Sequence, residues 1–215
     1  MSTERCIIVA AGDMTVSEVP VREEDLVIAV DGGLDYCSLL GLEPDLVLGD
    51  FDSVGEERAK QIALWEKQCP NRVIRLQCEK DDTDTLMAIK VGLERGCNHF
   101  LIYGATGGRL DHTIANIQSL LYLKHHGAVG YLMDGTGMIF VMEDEEVRFK
   151  ASMEGYLSLF SLGKEAVGVD ISGMKYPLTD AMITNDFPIG ISNEFTGQEA
   201  AVRVRSGQLL GIVTY

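Results

Sequence analysis

Residues 25–53, DLVIAVDGGLDYCSLLGLEPDLVLGDFDS, contain two short apolar runs separated by a helix-like segment. The middle segment, LDYCSLLG, has the length of a short helix that ends at Gly41. Both apolar runs are continuous rather than alternating, which is typical of strands buried on the two faces of a parallel sheet. This stretch therefore predicts a strand–helix–strand unit.

The same alternation continues on both sides of this unit. The strand-like run RCIIVAAG precedes it. The segments that follow it, helix-like and strand-like in turn, are GEERAKQIALWEKQ, RVIRLQ, DTDTLMAIKVGLERG, HFLIYGATGG, RLDHTIANIQSLLYLKHHG and AVGYLMDG. Strand–helix alternation with continuous apolar strands predicts an α/β domain, with a mostly parallel sheet and helices on both faces. We place this domain at residues 1–134.

After about Gly137 the pattern changes to short runs separated by Gly, Asp and Asn. Several of these runs alternate polar and apolar residues with period two, and none has helical spacing. We therefore predict a second, all-β domain at residues 138–215, either a sandwich or a barrel. Within it, VRVRSGQLLGIV predicts a hairpin that turns at Ser206 and Gly207.

The composition is that of a soluble protein, with 215 residues, of which 46% are hydrophobic and 24% charged, and a net charge of −15. A strongly negative surface argues against a bulk interface with nucleic acid or with anionic lipid, so we expect neither partner. An anionic substrate would need a metal ion, a few placed cations or backbone N–H groups.

The five cysteines are odd in number and show no metal-ligand spacing. The first residues do not resemble a signal peptide, and no apolar stretch approaches the length that spans a bilayer. We therefore expect a cytoplasmic protein with reduced thiols.

Four acidic or glycine-rich clusters follow predicted strands, at residues 31–33, 49–53, 81–84 and 104–111. In an open parallel sheet that edge is where ligands bind. Crowded carboxylates repel by about 1 to 4 kcal/mol per close pair, and a bound cation removes that cost. Because Mg²⁺ prefers carboxylate oxygens and bridges to substrate phosphates, the convergence of the clusters predicts a Mg²⁺ site that receives a phosphate group.

Each cluster also has a purely structural interpretation. An aspartate after a strand often caps the next helix, which applies to Asp84 in front of an apolar helix. Residues 31–33 are compatible with an ordinary turn. A turn needs only one of Asp50 and Asp52, so the presence of both favours a cation-binding role. One carboxylate would then bind the cation directly and the other through water.

GATGGRLDH, residues 104–112, resembles a phosphate cradle. Gly104, Gly107 and Gly108 allow the backbone to approach an anion, and the following helix directs its N-terminus to the same place. Arg109 could bind phosphate oxygens with its fork of donors. The alternative is a plain strand–helix turn with a surface arginine, since the pattern is not that of a P-loop.

The motifs DGG, LGDFDS, KDDTDT, GGRLDH with ANI, and GISNEF, in this order, resemble those of bacterial thiamine pyrophosphokinases. The resemblance extends from about Val30 to Phe195. It implies an α/β nucleotide domain followed by a β-sandwich, and a homodimer. It also implies transfer of a pyrophosphate group from MgATP to the hydroxyethyl group of thiamine, which leaves AMP.

The resemblance also assigns site residues, position by position. The Mg²⁺ ligands it implies are Asp31, Asp50, Asp52 and Asp84. The residues it implies on the ATP side are Asp31, Gly32, Gly33, Lys80, Thr83, Gly107, Gly108 and Arg109. The catalytic set it implies is Asp50, Asp52, Asp84, Arg109 and Asp111, of which Asp111 is our candidate acceptor of the thiamine hydroxyl proton. The thiamine contacts it implies are Asp111, Ser192 and Asn193, the last two facing the α/β domain of the partner chain.

One departure from the family concerns the aromatic residue that packs on thiamine. Some members use a tryptophan there, but the single tryptophan of this chain, Trp65, lies in a predicted surface helix of the first domain. The sequence therefore does not name the aromatic platform.

Two other functions compete. LVLGDFDSV resembles the strand and Asp-x-Asp motif of haloacid-dehalogenase phosphatases, with Asp50 as covalent nucleophile. That class usually opens the chain with this motif, whereas here it follows the third predicted strand. The second alternative is a non-catalytic nucleotide or thiamine sensor, which would not need a costly group of carboxylates.

Overall fold

The computed structural model of the chain describes residues 5–52, 54–77 and 81–215. The chain divides into two compact units, Met1–Gly135, called here the α/β unit, and Thr136–Tyr215, called the β unit. Within the described ranges, no helix combines the length and the apolar character that crossing a bilayer requires.

The α/β unit alternates strands and helices, as its sequence predicts. In chain order its described elements are β1 (Arg5–Val9), β2 (Leu26–Val30), α1 (Gly33–Leu39), β3 (Leu46–Gly49), α2 (Glu56–Gln68), a 3₁₀ turn (Pro70–Arg72), β4 (Val73–Arg75), α3 (Asp84–Glu94), β5 (His99–Tyr103), α4 (Leu110–His125) and β6 (Val129–Asp134). The strand order is β6-β5-β1-β2-β3-β4, and these strands pair in parallel. The predicted parallel sheet is therefore present.

The core of the α/β unit follows from the alternation of side chains along its strands. Ile7 of β1 belongs to a buried cluster with Leu34 of α1 and Ile62 of α2. On β5, the ring of Phe100 approaches α3 so closely that a Cβ atom on Gly92 would lie 2.5 Å from Phe100 Cε1. Burial of each such side chain contributes about 1.5–3 kcal/mol, which explains why continuous apolar runs become strands.

The strand order fixes where a ligand can enter. From β1 the chain runs outward through β2 and β3 to β4, and then returns to place β5 on the other side of β1. The loops that follow β1 and β5 therefore leave the sheet in opposite directions. In open α/β sheets this switch point forms a crevice at the carboxyl ends of the strands.

A buried ion pair joins the starts of β1 and β2. Arg5 Nε donates to Asp25 Oδ1 at 2.8 Å, a second Arg5 nitrogen bonds Oδ2, and the Arg22 N–H donates to Oδ2 at 2.7 Å. The Asp25 side chain is 0% exposed. Burial by itself would raise the pKa of Asp25, but the hydrogen bonds from Arg5 and Arg22 outweigh it and hold that pKa below its usual value.

The β unit consists of strands joined by turns. In chain order they are β7 (Gly137–Glu143), β8 (Glu146–Phe149), β9 (Tyr156–Ser161), β10 (Glu165–Ser172), β11 (Leu178–Thr184), β12 (Gly190–Glu194), β13 (Ala200–Ser206) and β14 (Gln208–Thr214). They pair antiparallel in the orders β12-β9-β14-β7 and β11-β10-β13-β8. The all-β pattern predicted after Gly137 is therefore observed.

Aromatic rings link the two sets of strands in the β unit. Phe140 of β7 and Phe149 of β8 have ring centroids 6.1 Å apart, and Phe149 lies 5.3 Å from Phe195. The ring planes are tilted by 57° and 60°. Such tilted pairs contribute about 0.5–1.5 kcal/mol each beyond the area they bury.

The hairpin predicted at Ser206 and Gly207 is wrong. β13 pairs with β10 and β8, whereas β14 pairs with β7 and β9, so the chain passes from one sheet to the other at Gly207. Gly207 has φ 107° and donates its N–H to Asp144 Oδ1 at 2.8 Å. The dipeptide identifies a sharp turn, but it does not determine which strands pair on either side.

Candidate functional site

A cleft of about 590 Å³ lies at the carboxyl ends of the strands of the α/β unit. It is lined by residues that follow β1, β2, β3 and β5, together with the first residues of α3 and residues of α4. Of the positions predicted from sequence, those that line it are Asp31, Gly32, Asp50, Thr83, Asp84, Gly107, Gly108 and Arg109. Separate loops thus converge on the crevice at the switch point.

A larger cavity, of about 1080 Å³, lies elsewhere in the α/β unit. Its walls come from the amino-terminal sides of β3 and β4, near Asp45 and Arg72. We take the smaller cleft as the candidate site, because ligands of open α/β sheets bind at the carboxyl ends of the strands.

The side chain of Asp31 packs closely against the backbone of Gly49. Asp31 follows β2 with φ 46°, an unusual backbone conformation for a residue with a side chain. Its Oδ1 is buried, and a Cβ atom on Gly49 would lie 1.8 Å from it. Glycine at the end of β3 therefore makes room for the carboxylate.

The turn after β3 places Asp50 and Asp52, predicted as a pair from the sequence, in different surroundings. Phe51, between them, has φ 61° and is 7% exposed, so its ring anchors the turn. Asp50 lines the cleft and accepts the Asp52 N–H on Oδ1 at 3.1 Å. Asp52 is exposed and does not line the cleft. The strained backbone at Phe51 is of the kind that concentrates at functional sites.

The start of α3 is capped by Thr83. Its hydroxyl accepts the Leu86 N–H at 3.2 Å, and Asp84 is the first helical residue. The alternative in which Asp84 itself caps the helix is therefore wrong. Asp84 places its charge at a helix N-terminus, which is favourable, and both residues line the cleft. Lys80 lies outside the described residues.

The glycine-rich loop after β5 adopts the left-handed conformation at three glycines. Gly104, Gly107 and Gly108 have φ 62°, 76° and 57°. The loop after β1 is tied to it, since the Gly12 N–H donates to the Gly104 carbonyl at 2.7 Å. Residues with a Cβ would strain this loop, which precedes the N-terminus of the 16-residue helix α4.

Arg109 and Asp111 form an exposed ion pair. Arg109 Nη2 and Nε donate to Asp111 at 2.6 and 3.2 Å. The hydrogen bonds from the Arg109 guanidinium hold the pKa of Asp111 below its usual value. Arg109 lines the cleft, whereas Asp111 does not. Asp111 is thus ionised at neutral pH and is a weak base.

Gly33 does not line the cleft either. A Cβ atom there would lie 2.0 Å from the Val9 carbonyl oxygen, so this glycine allows α1 to pack against β1. The cofactor-binding role predicted for Gly33 has no support in its position.

Several cleft residues were not assigned from the sequence. They are Asp13, Thr85, Thr106, His112 and Asn116. Asp13 follows β1, so the rule that ligands lie at strand ends could have found it. Asn116 belongs to the ANI motif, but the motif alone assigned it no role, because a polar residue in an amphipathic helix resembles a surface position.

Asn116 supports the glycine-rich loop from α4. It is 6% exposed, and its Nδ2 donates to the Ala105 carbonyl at 2.8 Å. Replacing it with alanine should lower the free energy of unfolding by about 1–3 kcal/mol, because a buried carbonyl loses its donor. Urea denaturation measures this change. As a control, Ser119→Ala removes a bond to Ala115 within α4 and should cost less than about 1 kcal/mol. Equal costs would contradict the loop-supporting role.

Ser192 and Asn193 lie on β12 of the β unit, at a register shift between Gly190 and Asn193. Ser192 has φ 56° and is exposed. The buried Asn193 amide bonds the Tyr176 backbone, accepting from its N–H at 2.9 Å and donating to its carbonyl at 2.7 Å. Asn193 thus fixes the strand, and Ser192 is the member of the pair that faces solvent.

The cleft residues can be tested for their fit to a metal ion. Among residues 5–52, 54–77 and 81–215, no three His, Cys, Asp or Glu side chains form a ready metal cluster. Asp31, Asp50 and Asp84 nevertheless line one cleft and offer carboxylate oxygens. Mg²⁺ is usually held by one or two carboxylates, several waters and substrate phosphates, so this open donor set fits it.

Two family models match the chain in succession. Residues 20–131 match the catalytic domain of thiamin pyrophosphokinase, and residues 141–209 match its vitamin B1 binding domain. The chain belongs to the thiamine pyrophosphokinase family. This membership confirms the resemblance seen in the motifs, and it supports neither the haloacid-dehalogenase nor the sensor alternative.

Individual members of the thiamine pyrophosphokinase family show the same similarity. The thiamine pyrophosphokinase of Bacillus subtilis is 31% identical over 191 residues, which cover 88% of this chain and 87% of the relative. A crystal structure of the B. subtilis protein superposes with TM-score 0.87 at 29% identity, covering 98% of this chain and 99% of the other. A Geobacillus thermodenitrificans thiamin pyrophosphokinase structure gives TM-score 0.82 at 25% identity, covering 98% and 97%.

Proposed function

We propose that this protein transfers a pyrophosphate group from MgATP to the hydroxyethyl group of thiamine, forming thiamine diphosphate and AMP. The observation that carries the proposal is the convergence of Asp31, Asp50 and Asp84 with the glycine-rich loop on one cleft of a thiamine pyrophosphokinase fold. A carboxylate group and an anion cradle at one site suit a metal–triphosphate complex.

Asp31, Asp50 and Asp84 would hold Mg²⁺, with Asp52 acting through water from the rim of the turn. Bound there, the ion would neutralise and orient phosphate oxygens. The three carboxylates come from different loops and are few enough to leave coordination positions for waters and phosphate oxygens. This arrangement agrees with a site that becomes complete when the nucleotide brings its own oxygens.

The glycine-rich loop, the N-terminus of α4 and Arg109 would bind the phosphates. Backbone N–H groups and the helix dipole favour negative charge there. Arg109 adds a planar fork of donors once it leaves Asp111. In phosphoryl transfer most of the catalysis is positioning and charge stabilisation, which these groups supply.

Asp111 would accept the hydroxyl proton of thiamine. The hydrogen bonds from Arg109 are the chief cause of its lowered pKa, and that lowered pKa makes Asp111 a weak base. A weak base suffices in a loose transition state, because the proton leaves late. Movement of Arg109 to a phosphate would remove those hydrogen bonds and strengthen the base.

For the architecture, we propose an α/β domain, residues 1–134, with helices on both faces of its sheet, and a β-sandwich domain, residues 138–215, that binds thiamine and dimerises. The buried contacts of α2 and α3 and the rings between the β sheets support this assignment. Exposed apolar side chains of the β unit, Tyr176, Met182, Phe187, Ile189 and Ile191, suit a homodimer interface. Cytoplasmic location agrees with the free cysteines.

The direct test of the function is incubation of the protein with ATP, Mg²⁺ and thiamine, followed by separation of the products. AMP and thiamine diphosphate are expected in equal amounts. Formation of ADP with thiamine monophosphate would reject pyrophosphate transfer. Ligand binding without turnover would indicate a sensor, and a phosphoenzyme trapped on Asp50 would indicate a phosphatase.

Ser192→Ala should raise the KM for thiamine more than the KM for ATP, because the exposed hydroxyl is proposed to contact the pyrimidine ring. Loss of one hydrogen bond corresponds to an increase of about 2- to 12-fold. Steady-state kinetics with each substrate varied in turn measures both constants. Thr196→Ala, which removes an exposed hydroxyl bonded to Gly173, is the control and should change neither. An unchanged thiamine KM in Ser192→Ala would exclude this contact.

A further inference from the structure

Asp13 is a cleft residue that the proposed mechanism leaves without a role. It lies in the loop after β1, on the β1 side of the switch point, and it lines the same cleft as the predicted metal ligands. Its side chain is exposed. A carboxylate at this place affects whatever the cleft binds.

The structure fixes Asp13 against the glycine-rich loop. Its N–H donates to the Thr106 carbonyl at 2.8 Å, and the adjacent Gly12 N–H donates to Gly104. A Cβ atom on Gly107 would lie 2.1 Å from Asp13 Oδ2 and 2.4 Å from its Cγ. The carboxylate therefore lies in contact with the loop proposed to cradle phosphate.

The described residues that line the cleft carry little positive charge to offset the Asp13 carboxylate where it contacts the glycine-rich loop. Arg109 is the one arginine or lysine among the described lining residues, and it is paired with Asp111. Asp13 adds a negative charge beside the loop proposed to cradle phosphate, in addition to the carboxylates proposed for Mg²⁺. Like charges a few ångströms apart repel even with the screening of surrounding water, so Asp13 opposes a bare triphosphate.

We propose that Asp13 determines the charge specificity of the cleft, admitting a polyphosphate as its complex with a divalent cation and rejecting the metal-free anion. The cation neutralises part of the phosphate charge, so the same carboxylate opposes the complex much less. The assignment of ATP as the ligand rests on the proposed function, whereas the electrostatic argument applies to any polyphosphate.

Asp13→Asn tests the proposal, because it removes the charge with little change in shape and keeps the backbone bond to Thr106. Titration calorimetry would measure binding of ATP and of inorganic tripolyphosphate, each with excess EDTA and each with Mg²⁺. We expect affinity for both metal-free anions to rise about tenfold and affinity for the Mg²⁺ complexes to change less than about threefold, since a tenfold change, about 1.4 kcal/mol, is of the size that one nearby unit charge produces.

Glu18→Gln is the matched control, because it removes one exposed negative charge from the same unit and does not line the cleft. An equal rise in Glu18→Gln would overturn the proposal in favour of bulk charge. Unchanged binding of metal-free anions by a folded Asp13→Asn would also overturn it, as would a large loss of Mg²⁺-complex binding, which would make Asp13 a ligand contact. Asp13→Glu, which keeps the charge, should still reject the metal-free anions.

The proposed function can fail separately. Suppose that the unmodified protein binds Mg²⁺–tripolyphosphate but does not turn over ATP with thiamine, and that Asp13→Asn shows the expected rise in affinity for metal-free anions. The substrate assignment is then wrong, and the charge specificity stands. If turnover occurs and that rise is absent, only the charge specificity is rejected.

Discussion

Asp50→Asn is expected to lower kcat/KM for pyrophosphate transfer by about 100-fold or more, since loss of groups that merely support metal ligands already costs 10- to 100-fold. Asp50 lines the cleft at the start of a turn that the buried ring of Phe51 holds in a strained conformation. Asparagine keeps the shape and removes the charge. The loss should therefore arise from metal and phosphate binding rather than from misfolding.

Stability measurements and a second variant make this prediction specific. Without metal, Asp50→Asn should melt at the same or a slightly higher temperature, because one of several neighbouring negative charges is gone. Asp52→Asn, at the exposed side of the turn, is the comparison and should show a smaller loss if its contact is through water. Retained activity of Asp50→Asn at saturating Mg²⁺ would contradict the metal role.

Asp25→Ala is expected to lower the free energy of unfolding by about 3–5 kcal/mol, because it leaves the Arg5 guanidinium largely buried without its partner. The Arg22 N–H loses its acceptor as well. Urea denaturation at neutral pH measures the change. The exposed pair of Arg148 and Glu146 provides the control, since Glu146→Gln should cost less than about 1 kcal/mol.

The ion pair also predicts a pH dependence. The pKa of Asp25 is lower in the folded protein than the value of about 3.9 of an unperturbed aspartate. Its contribution to stability is therefore complete above pH 3.9 and is lost as the pH falls through the lowered folded value. Asp25→Ala should lack this part of the acid destabilisation. If Asp25→Ala does not fold, Asp25→Asn permits the same comparison, and acid sensitivity equal to that of the unmodified protein would contradict it.

The parts of the fold that could be predicted are those that depend on local pattern. The continuous apolar run of β2 predicts a strand buried on both faces, and period-two runs after Gly137, such as those of β9 and β13, predict antiparallel strands. Strand ends in a parallel sheet meet at one edge, so Asp31, Asp50 and Asp84 could be expected to converge before any coordinates existed.

The parts that could not be predicted depend on backbone angles and distant partners. The positive φ of Phe51 distinguishes Asp50 from Asp52, and no spacing rule reveals it. The bond from Asn116 to Ala105 joins a helix to a loop 11 positions earlier. The separation of β13 and β14 into different sheets reflects the whole set of strand pairings, whereas sequence pattern reports only the turn between them.

The order of strands in the β unit has a consequence for how the protein is made. β14 (Gln208–Thr214) pairs with β7 on one side and β9 on the other, so an inner strand of the sheet is synthesised after both of its neighbours. Until Gln208–Thr214 has left the ribosome, β7 and β9 each lack a neighbour. A stop codon that removed Gln208–Tyr215 would leave those backbone groups unpaired, and such a product should aggregate or be degraded.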